Sequence, residues 1–414
     1  MPSFRLPGRR QSSPDSPDDS DVVSASVRET IEHLATLLRS PGSPGEADAA
    51  AWLAERLSAH GATAQVESAS FQDGYAKVIG ALTALSTAGG LLAFLRLRKL
   101  GALAAAAAAG LIADDVSNGP RLVRSLAVPV PTQNVVAEAG DPEAERTLVI
   151  FGHHDAAPTG LVFDQSAQTW AGKTFPGLLE RFDTSLPLWW LVLSAPLLTA
   201  WGALARRRGV LALGAGLSAV GTAAFADIFS SETVPGANDN LSALGVLVGL
   251  AERLAEQPVQ GVRVLLVSCG AEEVIQGGIY SFADRHFPEL DPASTYFLCV
   301  DTVGSPQLVL LEGEGAVVME DYHFRPFRDL VARVADQAGA PLVRGLRSRN
   351  STDAVIPSRA GYPTATLTSF NRQKALSNYH LPTDTPENLD WQTIAQTLVV
   401  SEAVVRELAS NPWL

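Results

Sequence analysis

Hydrophobic positions along this chain change period several times, and each change marks an element. From Val23 onward the apolar residues of VRETIEHLATLLRS recur three and four apart, and those of EADAAAWLAERLSAHG do the same up to Gly61, so two amphipathic helices are expected. TAQVESASF then alternates as a strand. Farther on, NVVAEAG, TLVIFG, VRVLLVSCG, TYFLCVD and TATLTSF are short apolar runs rich in β-branched residues. They are separated in places by long helical stretches such as LSALGVLVGLAERLAEQ. Strands alternating with helices indicate an α/β fold, a three-layer sandwich around a mixed, largely parallel central sheet.

Four other segments obey neither period. Val78–Leu95 carries no charge and is followed, after the basic turn RLRK, by Leu100–Ala113. Leu186–Ala205 and Gly209–Ala226 repeat the device around Arg206, Arg207 and Arg208. Two inserted helical hairpins are therefore expected, at 78–113 and 186–229. About eighteen helical residues cross the hydrocarbon of a bilayer, so three of the four segments are long enough to span and Leu100–Ala113 is short. A hairpin buried in a large soluble core is the competing reading, above all for the alanine-rich GALAAAAAAGLIA. Trp189, Trp190 and Trp201 lie near the ends of the second pair, where interfacial anchors belong. Both tight turns are basic, whereas Asp114, Asp115, Asp183, Asp227 and Glu232 mark the opposite ends. The tendency of Lys and Arg to stay cytoplasmic then places the rest of the protein outside, at a membrane whose lipid the hairpins contact.

Composition adds three constraints. Residues 1–22 are rich in Pro, Ser and Asp and are expected to be a disordered tail, without the apolar stretch of a cleavable signal peptide, ahead of one domain over 23–414. A formal net charge of −13 leaves no basic stripe for a phosphate backbone, which argues against nucleic acid as a partner. Cys269 and Cys299 sit inside apolar strands and read as core thiols, so they do not identify a compartment.

Candidate chemistry gathers where the apolar runs stop, which is where ligands collect in open α/β sheets. His153, His154 and Asp155 follow TLVIFG, Glu272 and Glu273 follow VRVLLVSCG, and Asp301 follows YFLCV. Asp239 lies in the turn PGANDN and His380 in SNYHLPTDTP. Taken singly, these residues have plain explanations in turn chemistry, helix capping or a surface loop. As a set, imidazole and carboxylate at five such places match the nitrogen and oxygen donors that zinc takes.

The motifs HHDAAPTG, PGANDNLSALG, GAEEVIQGG, CVDTVG and NYHLPTDTPENLD, in that order, resemble the M28 family of di-zinc aminopeptidases. The resemblance covers about residues 130–400 apart from the second hairpin. It implies two Zn2+ ions: His153 and Asp301 on the first, Glu273 and His380 on the second, and Asp239 bridging. It further implies Glu272 as general base toward a metal-activated water, Asp155 as the carboxylate orienting a ligand imidazole, and Tyr379 as the oxyanion donor. The adjacency of Glu272 and Glu273 fits, because neighbouring side chains at a strand end diverge. The implied substrate is a peptide with a free N-terminus. His154 reads as structural, and Asp353 in NSTDAVIP matches a serine–aspartate motif of the family whose role here is undefined. Ala243 stands where the family commonly has glycine, and the hairpins are the larger departure. The alternatives are a catalytically inactive membrane receptor or scaffold with a peptidase fold, against which the filled ligand positions argue, and a mono-zinc glutaminyl-cyclase-like enzyme.

Overall fold

The computed structural model describes residues 22–72, 74–175, 177 and 182–411. The tail expected over 1–22 therefore lies outside the described residues except for Val22. The strands are β1 (Thr63–Gln72), β2 (Pro129–Gly140), β3 (Thr147–His153), β4 (Arg263–Cys269), β5 (Thr295–Val300), β6 (Gln307–Glu314), β7 (Glu320–Asp321), β8 (Val343–Ser348) and β9 (Thr364–Phe370). They form a single sheet in the order β1-β2-β4-β3-β5-β9-β6-β7, with β8 beside β6. Its centre, β4-β3-β5-β9, is parallel, and β1, β2 and β6 join antiparallel.

Alternation along the central strands feeds two cores. Leu148 and Ile150 of β3 face one side with Val264 and Leu266 of β4, while Val149 and Phe151 face the other with Leu265 and Val267. Helices α1 (Ala25–Leu34) and α2 (Pro44–Ala59) cover the first face, and later helices described below complete it. Ser43 starts α2 by accepting the Glu46 N–H at 3.2 Å, with Pro44 in the first turn. Cys269 and Cys299 are buried free thiols within the second core, as expected.

The apolar segments form helices α3 (Tyr75–Phe94) and α4 (Arg98–Val116), then, beyond the short α5 (Ser166–Thr174), α6 (Leu188–Leu204) and α7 (Arg208–Ser230). These two hairpins pack together as a bundle with a core of its own, including Ile79, Leu82, Ile112, Leu193 and Phe225. Small residues let the backbones approach: a Cβ on Gly101 would lie 2.2 Å from the Gly89 carbonyl oxygen, and one on Gly214 would lie 2.4 Å from the Thr199 nitrogen. Ser86 and Ser218 pair through their hydroxyls at 2.9 Å, and Thr222 donates to Thr83 at 3.1 Å. Among the described residues two helices, α3 and α7, are long and apolar enough to cross a membrane. Leu186–Ala205 yields a helix of only 17 residues, shorter than the full run, because Pro187 stands at its start. Trp190 and Trp201 are half exposed, but Trp189 turns inward and stacks on Phe225, so it is no outward anchor.

The chain continues with α8 (Ser242–Glu256), α9 (Gly278–His286), α10 (Arg325–Gln337), α11 (Val355–Arg359) and α12 (Trp391–Ser410). Helices α8, α10 and α12 join the first face and α9 packs on the second.

Candidate metal centre

The carboxyl ends of the parallel strands converge on one buried spot. His153 is the last residue of β3, Asp301 follows β5, and Glu272 and Glu273 come from the turn after β4. Asp239 lies in the bend Ala237–Leu241 that leads into α8, where its peptide bond to Asn240 is cis. His380 closes the group from the loop after β9.

Asp239 stands between the two imidazoles. Its Oδ1 is 3.3 Å from His153 Nε2 and its Oδ2 is 3.4 Å from His380 Nε2. Glu273 Oε2 is 3.1 Å from the same His380 nitrogen. Two donor sets result, His153 with Asp239 and Asp301, and Asp239 with Glu273 and His380. In each, the candidate ligand atoms lie within 4.8 Å of one another.

Electrostatics favour a cation here. Asp155, Asp239, Glu272, Asp301 and Asp353 are all buried around the two histidines, with Glu273 nearly so. Buried carboxylates on this scale require positive partners. Burial, joined by the surrounding carboxylates, raises Asp301 to about 6 and Asp353 to about 8, and it pushes Glu272 well above the usual range. Burial pulls the imidazoles down, but Glu273 and Asp239 overcome it and lift His380 to about 10. Asp155 and Asp239 likewise lift His153. Asp239 resists its own burial and is held low by the two imidazoles.

The donors also fit a metal by what they lack. Both ring nitrogens of His153 and of His380, and Glu273 Oε1, are buried without a hydrogen-bond partner among the described residues. The ring contacts quoted above are therefore proximities without hydrogen-bond alignment. Imidazole nitrogen, which a bound cation would deprotonate, and carboxylate oxygen in this mixture are a zinc donor set.

Around the donors, buried side chains hold backbone in place. Asp155 Oδ1 and Oδ2 accept the N–H groups of Glu272 and Glu273 at 3.0 and 2.9 Å, tying the end of β3 to the turn after β4, while Oδ1 also lies 3.3 Å from His153 Nδ1. The two glutamates diverge because they occupy a helical turn entered through Ala271 at φ 53°, not because of strand pleating as the adjacency suggests. Gln276 donates to Glu272 Oε1 at 3.0 Å and to the Ser351 carbonyl at 2.7 Å. Asp384 accepts the N–H groups of Asn238 and Asp239. Fully buried Arg39 donates to carbonyls of Leu34, His154 and Pro235. Glu46 accepts from Gly42 and Ala271. None of these four was visible as a site residue in the sequence, since each acts on backbone far along the chain. His154 turns away to pair through Nδ1 with Ser268 at 2.9 Å. Tyr379 stacks on His380 with ring centres 3.8 Å apart, and burial keeps its phenol protonated well past the ordinary range. Asp353 is buried with neither oxygen hydrogen-bonded among the described residues.

Residues 205–405 match the model of Peptidase family M28. No curated protein sequence matches the chain significantly. Solved structures share its fold at low identity. An aminopeptidase from Aneurinibacillus sp. strain AM-1 aligns at TM-score 0.54 with 12% identity, covering 95% of this chain and 96% of that one. A glutaminyl cyclase from Bacteroides thetaiotaomicron aligns at TM-score 0.54 with 14% identity, over 92% and 96%. A Zn-dependent exopeptidase from Parabacteroides distasonis aligns at TM-score 0.51 with 13% identity, over 93% and 97%. His153 and Asp155 precede the matched segment, and the shared fold brings them to the same strand ends as its residues. Over residues 205–405, just under half of its length, the chain is similar to peptidase family M28.

Proposed function

We propose that this protein is a zinc-dependent exopeptidase, an aminopeptidase that releases N-terminal residues from peptides at a site holding two ions. The observation that carries this reading is Asp239, whose two oxygens face two different imidazoles and so serve both donor sets at once. His153 and Asp301 would hold one zinc, Glu273 and His380 the other. Zinc at these positions would supply Lewis acidity, polarising the scissile carbonyl and acidifying water.

The remaining chemistry falls to the chain. Glu272 is the general base: buried and raised, it takes a proton at Oε2, the oxygen that Gln276 does not occupy, and returns it to the leaving amine. Tyr379, kept as a neutral phenol, donates a hydrogen bond to the developing oxyanion. The surplus of buried carboxylate receives the protonated amino terminus of the substrate, which supports the exopeptidase reading. We also place α3 and α7 across a bilayer with the basic turns inside, which leaves the catalytic domain extracytoplasmic.

Glu272→Gln is the test. Its turnover of amino-acid anilides should fall by about 10³-fold or more with zinc content unchanged. Activity equal to the wild type would remove Glu272 from the chemistry. The glutaminyl-cyclase fold likeness supports a second reading with one ion. Cyclisation of N-terminal glutamine, without release of other residues, would favour it.

A further inference from the structure

A cavity of about 400 Å³ adjoins the metal centre, and its lining combines two chemistries. Glu272, Glu273, Tyr379 and His380 line it from the metal centre. Leu191, Trp189, Leu217, Val220, Ala224 and Ile228 line it from the second hairpin. Along α7 that wall runs from Leu217 to Ile228, about three helical turns or roughly 16 Å. This is longer than any natural side chain, and the volume lies in the range of pockets that enclose a whole small molecule.

The hairpin wall is almost wholly apolar. Ser194 lines it but donates its proton to the Leu191 carbonyl within its own helix at 2.9 Å, and Trp189 stacks its ring on Phe225. The far rim reaches the surface, since Leu191 and Val220 are 70% and 66% exposed. The same faces of α6 and α7 carry exposed Leu188 and Leu213. The apolar path therefore continues from the metal donors to the outside of the bundle.

We propose that the preferred substrate is an amphiphilic amino-acyl amide whose long alkyl chain lies between α6 and α7 while its amine and scissile carbonyl reach Glu272 and Glu273. This rests on the aminopeptidase reading for the reaction, but the cavity's selectivity can be measured without turnover. The chain enters by way of the exposed rim, directly from a bilayer or from solution.

The test uses the full chain in phosphatidylcholine nanodiscs, with lipid-only discs as the blank. Calorimetry measures binding of the free amino acids alanine, norleucine and α-aminodecanoic acid, and kcat/KM is measured for their para-nitroanilides. Affinity should rise by up to about fourfold per methylene in excess of the lipid blank. Filling the cavity with Ala224→Trp, or with Ser194→Phe as a second variant, should lower the ratio of the α-aminodecanoic to the alanine value by about tenfold or more. Detergent-solubilised protein, tested in parallel, separates the sources: a gain confined to nanodiscs marks entry from the bilayer. Affinity that stays flat from norleucine to α-aminodecanoic acid, or an undiminished ratio in both variants, would overturn the proposal. If chain-length-dependent binding appears but no anilide is cut, the cavity assignment stands and the peptidase reading falls. If the alanine anilide is cut with no gain from chain length, the reverse holds.

Discussion

The side-chain amide of Gln276 donates to Glu272 Oε1 at 3.0 Å and reaches the Ser351 carbonyl at 2.7 Å, so one residue fixes the rotamer of the proposed base from the far side. Gln276 does not belong to either donor set and contacts Glu272 directly. Gln276→Leu should therefore lower kcat by about 10- to 100-fold while KM moves little, because the base loses its aim and not its identity. Zinc content should stay at the wild-type level. Steady-state kinetics with metal analysis checks this, and a rise in KM at constant kcat would assign Gln276 to substrate binding.

Glu314 gives a pH-dependent prediction outside the two donor sets. It is buried at the end of β6, accepts the N–H of Thr352 at 3.0 Å, and is raised by burial to about 8. In the unfolded chain a glutamate titrates near 4.5. Between those values the folded state holds one more proton than the unfolded state, so this group's stabilisation is lost as pH rises toward about 8. Glu314→Gln should leave stability almost unchanged near pH 4 and raise it by about 1–3 kcal/mol at pH 9, less than the ideal linkage figure because buried sites relax. Denaturant unfolding at both pH values checks the difference between variant and wild type. An equal effect at both would show that Glu314 stays ionised in the fold.

Membrane insertion is tested by carbonate extraction. With α3 and α7 spanning, the protein should stay with the membrane pellet after an alkaline wash, and protease added from the outer face should reach the catalytic domain. Release into the supernatant would make the bundle a peripheral or soluble element. Protection from outside protease would invert the orientation read from Arg206, Arg207 and Arg208.

Much of the candidate site could be read from the sequence because a parallel sheet sends its chemistry to strand ends. TLVIFG ends at His153 and YFLCV ends at Asp301, so apolar runs point to these candidate donors, and the fold brings them to Asp239. What escaped was whatever depends on distant backbone. Asp384 reaches the bend at Asn238 and Asp239, and Arg39 reaches carbonyls at His154 and Pro235. A lone buried Arg in a helix-terminal stretch has no sequence pattern, since its partners are carbonyls that every residue carries. The turn holding Glu272 and Glu273 was located correctly but for another reason. Positive φ at Ala271, Ile275 and Gln276 builds it, and β-strand alternation does not report such a turn. The hairpins were visible as uncharged runs, yet Trp189 turned inward because Phe225 offered a stacking partner that no local pattern shows. That inward turn is what gives the cavity its aromatic wall.

Metal stoichiometry bears most directly on the central claim that Asp239 serves two donor sets. Purified wild-type protein, loaded with zinc and desalted, should hold two ions per chain, and Asp239→Ala should lose affinity for both together. One tightly held ion in the wild type, or a variant that still retains two, would contradict the account.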